Sequence, residues 1–135
     1  MESSAIIDPF DERKEIGLFL KWVGDNNEIF NKYERELNSY VQESSPIPEF
    51  MFRSIDKLIV NMLFIFKTNG IQKPATTFYG IMREVRDKIK NKHLILELLL
   101  ERIQNSVELL ERYKNPKDDT EKIETTGELK RRGFI

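Results

Sequence analysis

Residues 58–66 read LIVNMLFIF, and Asn61 is the one polar residue in this stretch. A charge-free run of this kind needs other parts of the protein on most of its sides, yet it is far shorter than the roughly 18 residues of a membrane span. Its β-branched and aromatic residues leave a strand as the competing interpretation, but the surrounding 20-residue context favours a helix. We expect a buried central helix from about Pro48 to Thr68, ended by Asn69 and Gly70.

The composition limits which classes of protein the chain can belong to. Its 135 residues are enough for one domain with a real core, and 33% of them are charged, which is typical of amphipathic helices with solvated faces. The net charge of −1 gives no overall attraction to nucleic acid or membrane. The absence of cysteine excludes disulfides and thiolate metal sites, and a single histidine excludes multi-histidine clusters. We therefore expect no metal, no cofactor and no membrane association.

Amphipathic helices are predicted on both sides of the central run. Apolar residues recur at steps of three and four from Ile16 to Val41, interrupted at residues 24–27, GDNN. We expect a break there, with Asp25 or Asn26 capping the second half. The N-terminus has neither the basic region nor the apolar run of a signal peptide, which predicts a cytoplasmic protein.

The C-terminal half has one continuous apolar period, from Phe78 to Leu110, with His93 in register. Two interpretations follow: a single helix of about 39 residues, nearly 58 Å long, or two helices that meet at a turn near Asn91. From Lys114 on the apolar pattern is lost, which predicts a bundle domain over residues 1–113 and a flexible, disordered tail over 114–135. The predicted fold class is an all-α, up-and-down helical bundle with a long C-terminal helix or a helical hairpin.

Arg86 and His93 form the first candidate site, with six residues between them and polar Asp87 directly after the arginine. This pattern resembles the HEPN family of small all-α ribonucleases and toxins, whose motif spans the end of one helix and the start of the next. The resemblance implies a metal-independent endoribonuclease with a cleft formed by two subunits. Arg86 would then bind the phosphate, His93 would act as general acid or base, and Asp87 would orient one of them. On a continuous helix, His93 would instead be a core or interfacial residue.

A basic stretch forms the second candidate site, for nucleic acid or an acidic partner. Glu84 and Asp87 reduce its local net charge to +3, and Lys67 and Lys73 would enlarge it if the end of the central helix lay alongside. Basic side chains on a helix neutralise phosphates without reading sequence. The alternative is a solvated face stabilised by Arg83–Asp87 and Glu84–Lys88 pairs. The residues of this stretch are Arg83, Arg86, Lys88, Lys90 and Lys92.

Four aromatic residues look exposed, namely Trp22, Phe52, Phe64 and Tyr79, and the central helix is apolar on more sides than a small bundle covers easily. Apolar surface that remains uncovered indicates a protein partner or self-association. We therefore expect a non-catalytic binding or regulatory protein, a subunit or modulator of a nucleic-acid-associated complex. It would act through the basic helix face and the apolar surface, and the HEPN-type ribonuclease is the alternative.

Overall fold

The computed structural model of the protein describes residues 13–88 and 93–135, and these fold into α-helices without a strand. This confirms the predicted all-α helical bundle. No helix in these two ranges is long and apolar enough to cross a membrane. The helices are α1 (Lys14–Asp25), α2 (Asn27–Gln42), α3 (Glu49–Thr68), α4 (Pro74–Lys88), α5 (Leu94–Lys114) and α6 (Asp119–Arg132).

The predicted central helix is α3, which begins one residue after Pro48 and ends before Asn69. Gly70 follows with φ 84°, and the backbone N–H of Ile71 closes the helix end on the carbonyl oxygen of Phe66 at 3.0 Å. This left-handed turn is the stop that the Asn-Gly pair predicts. The inner face of α3 consists of side chains three or four residues apart that have no solvent-exposed surface: Met51, Ile55, Ile59, Met62 and Phe66.

An aromatic cluster joins α3 to the helices around it. Trp22 of α1 makes edge-to-face contacts with Phe30 of α2 and Phe78 of α4, at centroid distances of 5.2 and 5.6 Å. Phe78 in turn contacts Phe66 of α3 at 6.5 Å. The expectation that Trp22 is exposed is wrong, because its side chain lies at the centre of this cluster and only 2% of it is accessible.

Asn61, the polar residue of the central run, accepts a hydrogen bond from the buried indole of Trp22, with 3.2 Å between Oδ1 and Nε1. The break between α1 and α2 is confirmed at Asn26. The Asn26 side chain, however, donates to the carbonyl oxygen of Trp22 at 2.8 Å and makes no cap at the start of α2. It closes the end of α1, so the predicted capping role is wrong.

The apolar period from Phe78 to Leu110 is divided between two helices. Helix α4 ends at Lys88, α5 begins at Leu94, and His93 has extended backbone angles (φ −116°, ψ 119°). The single 39-residue helix is therefore excluded, and the predicted turn at Asn91 lies outside the described residues. Pro74 at the start of α4 and Leu110 near the end of α5 line the same groove, so the two helices form an antiparallel hairpin.

Helix α6 begins with a local network of hydrogen bonds. The Asp118 carboxylate accepts the backbone N–H of Glu121 at 2.8 Å, which caps the helix. The Glu121 carboxylate accepts the backbone N–H of Lys117 at 2.6 Å and the Arg112 guanidinium of α5 at 2.7 Å. These two donors hold the pKa of Glu121 below its ordinary value.

The inner face of α6 packs against α5 and the middle of α3. Leu129 and Thr125 are fully buried, and the Arg132 guanidinium donates to Ser106 Oγ of α5 at 2.9 Å and to Glu128 at 3.1 Å. The expectation of a disordered tail is therefore wrong for residues 119–132. The sequence shows little apolar pattern in this segment. Much of what holds α6 in place is polar, namely its capping groups and a buried arginine, and such contacts cannot be predicted from hydrophobic periodicity.

A buried ion pair connects α3 to α5. Arg102 donates from Nε and Nη2 to the two carboxylate oxygens of Asp56, at 3.0 and 2.6 Å, and the Asp56 side chain is only 5% exposed. Burial by itself would lower the pKa of Arg102, but the hydrogen bonds and charge of Asp56 raise it. The guanidinium also lies 5.2 Å above the ring of Phe52, which is consequently half-buried and not exposed as expected.

Replacing Leu129 tests whether the C-terminal helix is part of the folded core. Leu129→Ala should lower the free energy of unfolding by about 2–5 kcal/mol, because it removes a fully buried side chain. Ile123→Ala is the matched control on the same helix, since Ile123 is 72% exposed, and should change stability by less than about 0.5 kcal/mol. Urea unfolding measures both. Equal, small effects of the two substitutions would contradict the docked position of α6.

Candidate functional site

Arg86 and His93 stand on either side of the connection between α4 and α5. Arg86 lies in the last turn of α4 with a side chain 46% exposed, and its Nε is 3.4 Å from Oδ1 of Asp87. His93 is exposed and directly precedes α5. Both candidate side chains are therefore accessible to solvent, so the alternative in which His93 is a core residue is wrong.

The start of α5 is held in place by a residue from a different helix. His93 makes no side-chain cap, and the Glu34 carboxylate of α2 accepts the backbone N–H groups of Leu94 and Ile95 at 3.2 and 2.8 Å. A carboxylate at this end of a helix also interacts favourably with the helix dipole. Glu34 thereby fixes the backbone next to His93. The sequence contains no local signal for this contact, because about 60 residues separate the partners.

The described part of the basic stretch is largely paired within α4. The Arg83 guanidinium lies 5.7 Å above the ring of Tyr79, so this ring is covered as well. Lys88 donates to Glu84 at 3.3 Å, which confirms the predicted Glu84–Lys88 pair. The predicted Arg83–Asp87 pair is wrong, because Asp87 contacts Arg86. Lys90 and Lys92 lie outside the described residues. The accessible positive charge of Arg83, Arg86 and Lys88 is therefore smaller than their number indicates.

Glu84 connects this end of α4 to the N-terminus of α1. Its carboxylate accepts hydrogen bonds from Arg13 at 3.2 Å and from Lys88. Burial raises the pKa of Glu84, but the hydrogen bonds and charges of Lys88 and Arg13 outweigh that effect and hold the pKa below its ordinary value. Glu84 therefore stays ionised at neutral pH and neutralises part of the basic stretch.

Lys67 and Lys73 do not enlarge the basic stretch. Lys67 lines a groove together with Pro74, at the first turn of α4, and Lys73 directly precedes that turn. Arg86 lies at the other end of the same helix, roughly 20 Å away at about 1.5 Å per residue. The structure thus separates two surfaces, one at each end of α4.

The second surface is an apolar groove of about 300 Å³. Phe64 stands at its side with 64% of its side chain exposed, and Lys67 is the one charged residue among those that line the groove. We call this surface the Phe64 groove. Its lining residues come from α3, the α4–α5 hairpin and the C-terminal turn: Val60, Leu63, Phe64, Lys67, Pro74, Ala75, Leu110, Gly133 and Phe134.

The C-terminal turn forms one wall of the Phe64 groove because α6 ends in a left-handed residue. Gly133 has φ 85°, and the N–H of Phe134 donates back to the carbonyl oxygen of Leu129 at 2.9 Å. This turn places Phe134 beside the groove. The sequence interpretation missed this contribution because it took the tail as unfolded, and it also missed Phe50, whose side chain is 58% exposed at the start of α3.

Among the described residues, no group of three or more histidine, aspartate or glutamate side chains is placed to hold a metal ion. The candidate residues lie on two surfaces. One has an arginine and a histidine at a helix connection, and the other has an exposed phenylalanine beside an apolar groove.

Replacing Glu34 tests the cap at the start of α5. Glu34→Ala should lower the free energy of unfolding by about 0.5–2 kcal/mol, because two backbone N–H groups lose their acceptor. It should also speed amide hydrogen exchange at Leu94 and Ile95. Arg35→Ala, an exposed neighbour on α2, is the control and should change stability by less than about 0.5 kcal/mol. Unchanged exchange at both amides in Glu34→Ala would refute the cap.

Comparison with protein-family models, with curated proteins and with solved structures gave no match to this chain.

Proposed function

We propose that the protein is a non-catalytic helical-bundle binding protein, a regulatory or structural subunit that docks onto another cytoplasmic protein. The observation that carries this proposal is the Phe64 groove, in which a largely exposed phenylalanine stands beside an apolar depression. Exposed apolar side chains grouped beside a depression are typical of interaction sites.

The energetics of the Phe64 groove support docking. Fully burying a phenylalanine side chain contributes roughly 1.5–3 kcal/mol, and Phe64 retains most of that potential because 64% of it faces water. Residues from three helices and a closed C-terminal turn form the walls, so little order has to be gained on binding. An aromatic anchor beside a preformed depression has the properties of a binding hot spot.

The basic stretch adds a second possible contact in the proposed complex. Arg83, Arg86 and Lys88 are exposed at the far end of α4, and each has a partner on its own helix. Phosphate groups compete well for such surface pairs because an exposed ion pair contributes little free energy. In a nucleic-acid-associated complex, the Phe64 groove would bind the protein partner and the basic stretch would contact the nucleic acid.

Affinity purification with quantitative mass spectrometry tests the proposed function. A protein that co-purifies with the wild-type chain should be lost with Phe64→Asp, because a desolvated carboxylate in the groove is strongly unfavourable. Ile123→Asp, at an exposed site on α6, should retain it. The purified pair should then reconstitute with at least a tenfold difference in Kd between the two variants, about 1.4 kcal/mol. Identical co-purifying proteins for wild type and Phe64→Asp would refute the proposal.

A metal-independent endoribonuclease of the HEPN type is the second candidate function. The observation that favours it is the position of Arg86 at the end of one helix and of His93 directly before the next, both accessible to solvent. In this proposal Arg86 binds the scissile phosphate, His93 acts as general acid or base, Asp87 orients Arg86, and a second subunit completes the cleft.

RNA cleavage in the presence of EDTA tests the second candidate. Wild-type protein should cleave, and His93→Ala should lose activity by at least about a hundredfold, as expected for loss of a general acid or base. Arg35→Ala, which removes an exposed arginine of α2 outside the basic stretch, is the control and should remain active. Absence of cleavage, or cleavage unchanged in His93→Ala, would refute the nuclease.

A further inference from the structure

The outer face of α3 carries a row of side chains outside the buried core, all of them exposed except Val60, which is half-buried. Starting at Phe50, its members recur at steps of three and four, which places them on one side of the helix. We call this row the α3 seam. It ends in the Phe64 groove and consists of Phe50, Arg53, Lys57, Val60, Phe64 and Lys67.

The α3 seam contains three apolar and three basic positions. Phe50 and Phe64 are 58% and 64% exposed and lie 14 residues apart, so about 21 Å of helix separates them. Arg53, Lys57 and Lys67 supply three positive charges between and beyond them. The acidic residue of α3 beside this row is Glu49, 3.8 Å from Arg53, with both side chains more than two-thirds exposed. No ion pair among residues 13–88 and 93–135 involves Lys57 or Lys67.

The spacing of the α3 seam matches a helical ligand. Steps of three and four sustained over about two heptads are the pattern with which one helix packs along another. We propose that the α3 seam binds an acidic amphipathic helix of a partner protein. Apolar side chains of that helix would pack on Phe50, Val60 and Phe64, and its carboxylates would pair with the basic residues between them. This inference rests on the proposed docking function and specifies its partner.

Charge complementarity disfavours a second copy of the chain, packed through the same surface, as the occupant. An isologous contact along the α3 seam would bring the same basic residues of two copies together, and like charges across an interface cost free energy. The phosphates of a duplex nucleic acid would pair with Arg53, Lys57 and Lys67, but its stacked bases would leave the apolar walls of the Phe64 groove without a contact. An acidic amphipathic helix can pair its carboxylates with the basic residues and pack its apolar side chains in the Phe64 groove.

Fluorescence anisotropy with two synthetic helical peptides of about 20 residues, roughly 30 Å long, tests the inference. The acidic peptide has leucines facing the apolar positions of the seam and glutamates facing the basic positions, and the second peptide has lysines in place of those glutamates. The wild-type protein should bind the acidic peptide at least tenfold more tightly. Phe64→Ala should weaken that binding about tenfold, and the double substitution Lys57→Glu with Lys67→Glu should reverse the preference toward the lysine peptide.

Two controls accompany these variants. Lys32→Glu on α2 and Ile123→Ala on α6 change exposed residues away from the α3 seam, and both should bind the acidic peptide as wild type does. Circular dichroism should show the same helical signal for all variants, since each substituted residue is at the surface.

Three outcomes would overturn the inference. The first is equal binding of the two peptides, or no binding of the acidic peptide. If Phe64→Asp still loses a co-purifying protein in that case, the docking function stands and only the acidic partner is refuted. The second is preferential binding of a uridine oligomer that the double charge reversal abolishes, which would assign the seam to nucleic acid. The third is a concentration-dependent dimer of the chain alone that Phe64→Asp dissociates.

Discussion

The packing of Trp22 against α3 is the constraint on which the rest of the structure depends. Its ring contacts Phe30 and Phe78, while its indole N–H donates to Asn61 on α3. Four helices therefore meet at one side chain, and the hydrogen bond fixes the register of α1 against α3. A polar residue in an otherwise apolar run is explained by this bond, because a buried indole needs an acceptor.

Helix α3 serves two purposes because its sides differ. The inner side closes the core, with the Asp56–Arg102 pair as its link to α5. The outer side keeps Phe50 and Phe64 in water together with three basic residues. This explains why the sequence of α3 is apolar on more sides than a small bundle covers. The apolar surface that the bundle leaves uncovered lies at the α3 seam and the Phe64 groove, which we propose as the docking surface.

The fold was predictable where information is local. The apolar periodicity, the glycine after Asn69 and the prolines at the starts of α3 and α4 predicted the main helices, because propensity and capping act over a few residues. The contacts that define the candidate sites join distant residues and leave no periodic trace. Glu34 caps α5 from another helix, and Arg132 reaches Ser106 from a segment that looks unstructured by composition. Exposure of Phe64 as opposed to Trp22 likewise depends on which helices pack together.

We infer that the outer side of α3, and not the α4–α5 connection, is the docking surface. Titration of the acidic helical peptide into isotope-labelled protein, followed through backbone amide chemical shifts by NMR, distinguishes the two surfaces. Docking on α3 predicts the largest shifts at residues 50–67 and 133–134, with none at 83–88 or 93–95. Shifts concentrated at 83–88 and 93–95, with α3 unaffected, would contradict it.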